Sequence, residues 1–489
     1  MSRQDKIEKM TTLLRPGSVI TAPADLQAWA PANPLVAGGV PPVALIRPAD
    51  SGELERLLCW ANENEMNLCP VSSSGNHYRG GLAAAEEHLL VDLSGWKGID
   101  WIDRRNRVCL IQPGVTYGEL MTALESRGLT IPIPLAPRSG KSVLAACMDR
   151  EPATWPNKQW DIGDPVASTE FYFGSGERFR TGAAGGPGSL EAQRKSGGAQ
   201  KCPSGPSQTD FHRVIQGAQG TMGIVTWMTM RAEIKPLLQK PFLLGDRSLE
   251  KLVSFVYAVQ RPGLGEHCFI VNNVCAAMLI GGARAESPAI PPSHFPSYIC
   301  LQNIAGFELL AKSRIAYQEV DIRRKAGQAG LKMERALGRV PAGELLRLSV
   351  RPCGPRDWRR SSQGDCLSVF FLTTLDRAGD FVGVFEKLAA RHGFGRDRIG
   401  IYIQPVVQNH GCHIEFLVPF DGRRDLSAAA TLERASVETL MGLGAFFSRP
   451  YLSAGDLVFS RNQINTMVLK KIKEIFDPNR VLNRGKWGL

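Results

Sequence analysis

The chain has 489 residues, which is enough for two or three domains. Apolar residues make up 43% and charged residues 21%, so a largely disordered chain is excluded. The net charge of +11 favours anionic substrates or acidic partners. No aromatic–basic recognition motif accompanies that charge, so nucleic acid is not an expected partner.

The sequence also argues against a membrane-spanning protein and a metal-cluster protein. It contains no run of about 18 uninterrupted apolar residues, and residues 1–14 lack the apolar core of a signal peptide. The eleven cysteines occur without a Cys-x-x-Cys pair, so neither a zinc ribbon nor an iron–sulfur cluster is predicted. An odd number of unpaired thiols predicts a reducing, cytoplasmic location.

The first third of the chain predicts helices and strands in alternation. Apolar spacing indicates helices over residues 48–63 and 117–127, the second ended by Gly128 at its C-cap. Apolar runs predict strands over residues 68–71, 89–93, 99–103 and 107–112, the last two forming a hairpin.

A segment rich in glycine, proline and serine extends from residue 132 to residue 206. Within it, residues 166–173 and 178–181 are predicted as strands joined by a turn. Residues 181–206 are predicted as a long exposed loop, of a kind that is usually functional or mobile. Residues 214–232 are predicted to form a buried element, with a boundary near residues 235–236.

The remainder divides into two regions. Residues 240–425 alternate helices and strands, and they include a predicted strand pair, 400–407 and 413–418, around a turn at 408–411. Residues 426–489 are predicted to be mostly helical. The last helix, 462–475, has an apolar stripe at helical spacing that consists of Ile464, Val468, Ile472 and Ile475.

Residues 70–81, which read PVSSSGNHYRGG, suit a phosphate ligand. Glycine lets backbone N–H groups approach a phosphate closely, and serine hydroxyls add donors. The loop therefore predicts a pyrophosphate site, with an ordinary Gly/Ser turn as the alternative. Residues 138–142 imitate the end of a P-loop, but Leu135 stands at the leading glycine position, so ATP hydrolysis is not predicted.

Several segments, in order along the chain, resemble one known family. Residues 70–81, 90–93, 112–118, 176–182 and 217–226 are similar to the flavin-binding domain of the vanillyl-alcohol oxidase / p-cresol methylhydroxylase (PCMH) flavoproteins, and residues 476–486 are similar to their C-terminal segment. The resemblance implies an α+β protein with a two-subdomain PCMH-type FAD-binding domain and an inserted α/β substrate-capping domain. The implied divisions are an N-terminal segment 1–39, the FAD-binding domain 40–236, the capping domain 237–425 and a helical segment 426–489 that returns to the flavin.

The resemblance implies FAD as the cofactor, held in an extended form between two subdomains. The pyrophosphate is expected on the 72–77 loop, the flavin or pyrophosphate against residues 140–143, and the adenine end against residues 223–225. A lysine on the isoalloxazine side would stabilise negative charge on reduced flavin. The implied cofactor-binding residues are Ser72, Ser73, Ser74, Gly75, Asn76, His77, Gly81, Gly140, Lys141, Ser142, Val143, Gly223, Ile224, Val225, Asn483 and Lys486.

His77 has two interpretations. In the berberine-bridge branch of the superfamily, a histidine in a Ser-Gly-Gly-His context bonds covalently to the flavin 8α carbon. Here the context is Ser74-Gly75-Asn76-His77, with Gly81 at matching distance. The alternative, which the vanillyl-alcohol branch implies, is a histidine that only packs near the flavin.

The predicted strand pair and the segment after it supply the candidate catalytic residues: Tyr402, His413, Glu415, Arg449 and Tyr451. Strand alternation groups Tyr402 with Gln404 on one face, opposite Ile401 and Ile403. This polar face supplies a base and hydrogen bonds to substrate, or it is a solvated outer face. Arg449 clamps a carboxylate or phenolate through its planar fork, or it forms a structural ion pair.

A metal site at His410, His413 and Glu415 is not predicted. Related 2-hydroxy-acid dehydrogenases carry a His…Gly-Asp-Gly-Asn…His pattern and a later Glu-His-Gly, and this chain has neither. His410 also falls in the predicted turn.

The resemblance implies an FAD-dependent oxidoreductase that transfers hydride from a 2-hydroxy acid or a para-substituted phenol to flavin N5. Electrons then leave to oxygen or, as we prefer, to a redox-partner protein. Two alternatives stay open: a non-redox flavoenzyme of the alkyl-glycerone-phosphate synthase type, and a non-catalytic, flavin-carrying electron-relay subunit. Assembly into a homo-oligomer is a further expectation.

Overall fold

The computed structural model describes residues 3–29, 33–36, 40–75, 77–78, 86–198, 200–205, 211–283, 290–360 and 364–488. Two of the predicted cofactor-binding residues, Asn76 and Gly81, lie outside these ranges. Among the described residues, no helix is both long enough and apolar enough to cross a bilayer. All eleven cysteines are described, and none forms a disulfide.

The described residues up to 236, called here the N-terminal unit, form two main sheets. The smaller has the order β1-β2-β4-β3, in which β4 runs parallel to both β2 and β3, and the larger is antiparallel with the order β5-β6-β10-β8-β9. The strands are β1 Val19–Ile20, β2 Ala44–Ile46, β3 Leu68–Val71, β4 Leu89–Asp92, β5 Ile99–Asp103, β6 Val108–Ile111, β7 Leu129–Thr130, β8 Val166–Tyr172, β9 Arg178–Arg180, β10 Ile224–Arg231 and β11 Glu233–Ile234.

Side-chain caps fix where the helices of this unit begin. Asp50 accepts a hydrogen bond from the Glu53 N–H at the start of one helix, and Thr116 and Glu119 form a capping box at the start of another. The predicted helices and strands between residues 48 and 127 are confirmed to within a few residues. The helices are α1 Arg3–Thr11, α2 Pro23–Gln27, α3 Ser51–Asn64, α4 Tyr117–Glu125, α5 Val143–Met148, α6 Leu190–Lys195 and α7 His212–Ile215.

Two predictions for the N-terminal unit need correction. Residues 181–206 are not simply an exposed loop, because they contain α6 and bury Gln193 to 6% exposure. Ser189 caps α6 by accepting from the Ala192 N–H, a local signal that the glycine content obscured. Residues 214–232 are not one element but the end of α7, a loop and β10.

A six-stranded antiparallel sheet, called here the central sheet, follows with the order β12-β14-β13-β18-β19-β17. Helices cover both of its faces, and the side chains of β18 alternate between them. Ile401 and Ile403 pack into one apolar core, whereas Tyr402 packs into the other, so the predicted alternation is confirmed. The elements are β12 Leu238–Asp246, α8 Leu249–Gln260, β13 Cys268–Asn272, α9 Asn273–Ala283, β14 Tyr298–Gly306, α10 Ala311–Gln328, β15 Ala336–Leu337, β16 Val340–Pro341, α11 Ala342–Ser349, β17 Asp365–Thr373, α12 Ala378–Arg391, β18 Gly400–Val406 and β19 Gly411–Phe420.

The C-terminal part contains α13 Leu426–Gly442, α14 Ser453–Arg461 and α15 Gln463–Phe476. The predicted last helix is confirmed, but its apolar stripe is not a packing face. Ile464 is 72% exposed and Ile475 is 67% exposed, whereas Ile472 packs against the core of the N-terminal unit. The helix buries the face that carries Ile472 and Lys473, because Lys473 finds its hydrogen-bond partners there.

A buried ion pair joins the end of α15 to the N-terminal unit. Lys473 Nζ donates to Asp477 Oδ2 at 2.7 Å, to Thr221 O at 2.8 Å and to Leu482 O at 2.9 Å. The following chain then runs beside β3, where Leu68 N donates to Val481 O at 2.6 Å. The C-terminal tail thus extends the smaller sheet.

Replacement of Lys473 by methionine should destabilise the protein by about 3–5 kcal/mol, because it leaves the Asp477 carboxylate buried without its counter-charge. Urea unfolding of the purified protein measures the change. Lys470→Met, at an exposed position on the same helix, is the matched control and should leave the midpoint within experimental error. Equal midpoints for the two variants would contradict the role given to the buried pair.

Candidate functional site

A groove in the N-terminal unit brings together three of the predicted cofactor-binding segments. Ser72, Ser73 and His77 follow β3, Lys141 precedes α5, and residues 223–225 begin β10. All of them line one cavity, although about 150 residues of chain separate the first segment from the last. The turn after β3 and the start of β10 are therefore neighbours in the fold.

Two glycines let the backbone form the groove wall. A Cβ on Gly220 would lie 2.7 Å from Pro70 Cγ, and a Cβ on Gly223 would lie 2.9 Å from Phe171 Cδ2. Both distances are shorter than carbon–carbon contact allows, so only glycine leaves these walls undistorted. Gln219 Oε1 also lines this region and, within the described chain, has no hydrogen-bond partner.

Other predicted cofactor-binding residues lie behind the groove rather than on it. Ser142 caps α5 by accepting from the Ala145 N–H, and its own N–H donates to Ser73 Oγ at 3.0 Å. Val143 is fully buried in the core. Gly140 O accepts from the Ser74 N–H at 3.0 Å, and Ser74 and Gly75 are exposed. These residues hold the 72–75 turn against α5.

His77 stands where the groove meets a second cavity, and it lines both. Its ring stacks on Trp29 with the centroids 5.7 Å apart. Nε2 is buried and has no hydrogen-bond partner among the described residues. Burial, together with the charges of Arg138 and Lys141, lowers the pKa of His77 to about 3. The ring is therefore neutral at physiological pH.

The C-terminal tail places Asn483 and Lys486 beside the groove rather than on its lining. Asn483 Nδ2 donates to Gln219 O at 2.8 Å, and so supports a residue that does line the groove. Burial lowers the pKa of Lys486, while the nearby groups Cys69 and Asp149 act in the opposite direction.

The second cavity, called here the substrate cavity, lies between the N-terminal unit and the central sheet. It shares Ser73, His77, Lys141 and Tyr451 with the groove, so the two spaces are continuous. Its volume is about 140 Å³, which suits a small organic molecule. All five predicted catalytic residues line it: Tyr402, His413, Glu415, Arg449 and Tyr451.

Arg449 is only 4% exposed, and its guanidinium is not fully paired. Within the described chain, neither Nη1 nor Nη2 has a hydrogen-bond partner. Asp149 Oδ2 lies 3.7 Å from Nη1, and the Arg449 Cζ lies 4.5 Å from the centre of the Phe370 ring. A buried cation with unused donors at a cavity wall suits an anionic ligand.

Tyr451 links Arg449 to the N-terminal unit. Its hydroxyl donates to Asp149 Oδ1 at 2.8 Å. Burial raises the pKa of Asp149, and the positive charge of Arg449 opposes that shift. Asp149 therefore accepts from Tyr451 with one oxygen and faces Arg449 with the other.

The polar face of the β18–β19 pair is buried, so the alternative of a solvated outer face is wrong. Tyr402 donates to Gln404 Oε1 at 2.8 Å, and burial holds the pKa of Tyr402 well above its usual range. His413 is 2% exposed, with Nε2 3.9 Å from Glu415 Oε2.

Glu415 forms a bidentate pair that the sequence did not predict. Arg359 Nε lies 3.0 Å from Glu415 Oε1, and Nη2 lies 2.8 Å from Oε2. Ser368 Oγ also donates to Oε1 at 2.6 Å. Arg359 belongs to an arginine-rich stretch at residues 351–360. The stretch can be recognised in the sequence, but it does not indicate which acidic residue Arg359 contacts.

The sequence offered no reason to place Asp149 in the site, because its hydrogen-bond partner Tyr451 lies 302 residues away along the chain. Lys141 also has an unpredicted partner, Glu151 Oε1 at 2.7 Å. His410 lines a different cavity from His413, so the two do not meet. In the part of the chain that the structure describes, no three histidine, cysteine or acidic side chains could jointly hold a metal ion.

Residues 42–182 match the FAD binding domain family. A D-2-hydroxyglutarate dehydrogenase from Stutzerimonas stutzeri (strain A1501) is 22% identical over 98% of both chains.

Two solved structures share the fold over nearly the whole chain. A substrate-bound p-cresol methylhydroxylase has a TM-score of 0.84 at 17% identity and covers 99% of this chain and 96% of its own. The 4-ethylphenol oxidase from Gulosibacter chungangensis has a TM-score of 0.80 at 17% identity and covers 100% and 98%. The predicted fold class is therefore confirmed.

The chemical groups that line the groove also suit FAD. The groove offers serine hydroxyls, close backbone at Gly220 and Gly223, and the unpaired His77 Nε2, which suit a pyrophosphate and a flavin ring. With the FAD binding domain match over residues 42–182 and the dehydrogenase relative that matches over the full length, this chain is an FAD-dependent oxidoreductase with the fold of p-cresol methylhydroxylase.

Proposed function

We propose that this enzyme oxidises a small 2-hydroxy acid, with Arg449 as the clamp for its carboxylate. The observation that carries the proposal is the buried guanidinium whose Nη1 and Nη2 lack hydrogen-bond partners in the described chain. A carboxylate matches the planar fork of arginine with two parallel hydrogen bonds. The D-2-hydroxyglutarate dehydrogenase relative, which matches over the full length, supports the same substrate class.

FAD, when bound in the groove, supplies the hydride acceptor. Arg449 binds the substrate carboxylate, while Asp149 lies 3.7 Å from its Nη1 and accepts a hydrogen bond from Tyr451. His413 takes the proton of the substrate hydroxyl. Tyr402 is not the base, because its hydroxyl already donates to Gln404 and its pKa is raised.

Glu415 positions the histidine rather than reacting. Arg359 and Ser368 hold the Glu415 carboxylate in one orientation, with one oxygen 3.9 Å from His413 Nε2. A carboxylate fixed at that distance helps to hold the His413 ring in one orientation.

Oxidation of a para-substituted phenol is the second candidate. The shared fold of p-cresol methylhydroxylase and 4-ethylphenol oxidase supports it. Tyr78, Tyr402 and Tyr451 line the substrate cavity and would suit an aromatic ring. The cation Arg449 would then face a phenolate instead of a carboxylate.

Anaerobic addition of a 2-hydroxy acid, such as lactate or 2-hydroxyglutarate, should bleach the flavin absorbance of the purified holoprotein. Para-alkylphenols should bleach it far more slowly, because a phenolate uses only one position of the guanidinium fork. Faster bleaching by phenols would favour oxidation of a para-substituted phenol over oxidation of a 2-hydroxy acid. A panel that bleaches nothing would favour the non-redox synthase or the electron-relay subunit.

Arg449→Met should lower kcat/KM for the hydroxy acid by about 10²-fold or more, since a charge-assisted bidentate pair is lost. The visible spectrum should show that flavin is retained. Arg461→Met, at an exposed arginine, is the matched control and should turn over normally. Unchanged turnover in Arg449→Met would show that Arg449 does not bind the substrate carboxylate.

His413→Asn should slow flavin reduction by about 10²- to 10⁴-fold, because the proton acceptor is lost while a similar shape remains. Stopped-flow absorbance measures that step directly. His294→Asn, at an exposed histidine, should reduce at the normal rate. A reduction rate within about twofold of the wild type would exclude His413 as the base.

Acid precipitation of the holoprotein should release all of its flavin into the supernatant if His77 only packs against the ring. Flavin that stays with the pellet, and is lost from it in His77→Ala, would establish a covalent link instead.

We infer that the reduced flavin is reoxidised by a redox-partner protein. Rapid reoxidation by air alone would make oxygen the acceptor.

A further inference from the structure

A third cavity, called here the side cavity, lies where the N-terminal unit meets the far end of the central sheet. Its volume is about 870 Å³, within the range of small-molecule sites. It shares no lining residue with the flavin groove or the substrate cavity. Its walls include Lys158 from the N-terminal unit, Gln260 and Arg261 from the end of α8, and Phe307 and Arg314 from the turn into α10.

Gln260 is a buried amide on the wall of the side cavity. It is 3% exposed, yet neither Nε2 nor Oε1 has a hydrogen-bond partner among the described residues. Each such buried polar atom costs about 1–3 kcal/mol. An amide that presents both a donor and an acceptor is complementary to a planar ligand edge with an acceptor beside a donor. Asn409 Oδ1, also on this cavity, is unpaired in the same way.

The charges around Gln260 favour an anion. In the described part of the chain, neither Arg261 nor Arg314 has a carboxylate within 4.0 Å, and both line the cavity with exposed side chains. Glu308, which also lines the cavity, is paired with Arg104 at 2.7 Å. Lys158 shares Glu233 with Arg107, each at 3.5 Å. Burial raises the pKa of Glu266, on the same wall, to about 7, so this carboxyl is only about half ionised at neutral pH.

An aromatic surface lies between these cations. Lys158 Nζ is 5.8 Å from the centre of the Phe307 ring, and Arg314 Cζ is 5.9 Å from it. Arg261 Cζ lies 5.7 Å from the Tyr257 ring. A planar heterocycle can stack on such rings while its charged group reaches the guanidinium groups.

We propose that the side cavity binds a nucleoside monophosphate-like anion, with the phosphate on Arg261 and Arg314 and the base edge on Gln260. Each part of the ligand has its own recognising group: the amide for the edge, the rings for the face and the arginines for the charge. This proposal does not depend on which substrate the enzyme oxidises.

The test uses holoprotein saturated with FAD, so that the flavin groove is closed to competing nucleotides. Isothermal titration with AMP should give saturable binding. Ribose 5-phosphate, which lacks the base, and adenosine, which lacks the phosphate, should each bind at least about tenfold more weakly, a difference of about 1.4 kcal/mol.

Gln260→Met should weaken AMP binding by about tenfold and leave ribose 5-phosphate unchanged, because only the edge contact is lost. Arg314→Met should weaken both ligands. Gln239→Met and Arg247→Met, at exposed positions, are the matched controls and should bind AMP normally.

Two outcomes would overturn the proposal. One is the absence of saturable AMP binding up to roughly 10 mM, far weaker than an ordinary specific site. The other is AMP binding with the same affinity in Gln260→Met and Arg314→Met as in the wild type. Hydroxy-acid oxidation, measured in the same preparations, reports separately on the substrate cavity.

Discussion

The return of the C-terminal tail depends on one buried ion pair. Lys473 has three acceptors and Asp477 accepts from the backbone N–H groups of Val481 and Leu482, so both charges are fully hydrogen-bonded without water. A buried pair is tolerated only when its remaining donors and acceptors are satisfied in this way. Because one acceptor is Thr221 O, the same contact fixes α15 against the loop that leads into the flavin groove.

That anchor has consequences for the substrate cavity. The segment before α14 carries Arg449 and Tyr451, and the anchored C-terminal helices hold it against Asp149 of the N-terminal unit. The cavity wall is therefore assembled from three distant parts of the chain. Its charged groups differ in their hydrogen bonding. Glu415 accepts from Arg359 and Ser368, whereas Nη1 and Nη2 of Arg449 have no hydrogen-bond partner among the described residues.

The β18–β19 hairpin connects the two spaces between the N-terminal unit and the central sheet. Its strands carry Tyr402 and His413 into the substrate cavity, while its turn carries Asn409 and His410 into the side cavity. Gln408 N donates to Pro156 O at 3.1 Å, which ties the turn to the N-terminal unit. One antiparallel pair thus contributes residues to both the substrate cavity and the side cavity.

Short-range pattern was enough to predict the helices and strands between residues 48 and 127, the alternation of Tyr402 against Ile401, and a resemblance that implies FAD. Tertiary structure alone decided which charges meet. Asp149 and Tyr451 are 302 residues apart, and Arg359 and Glu415 are 56 residues apart, so no local spacing encodes either contact. It also decided that Ile464 faces solvent, because burial follows from what a helix packs against and not from its periodicity.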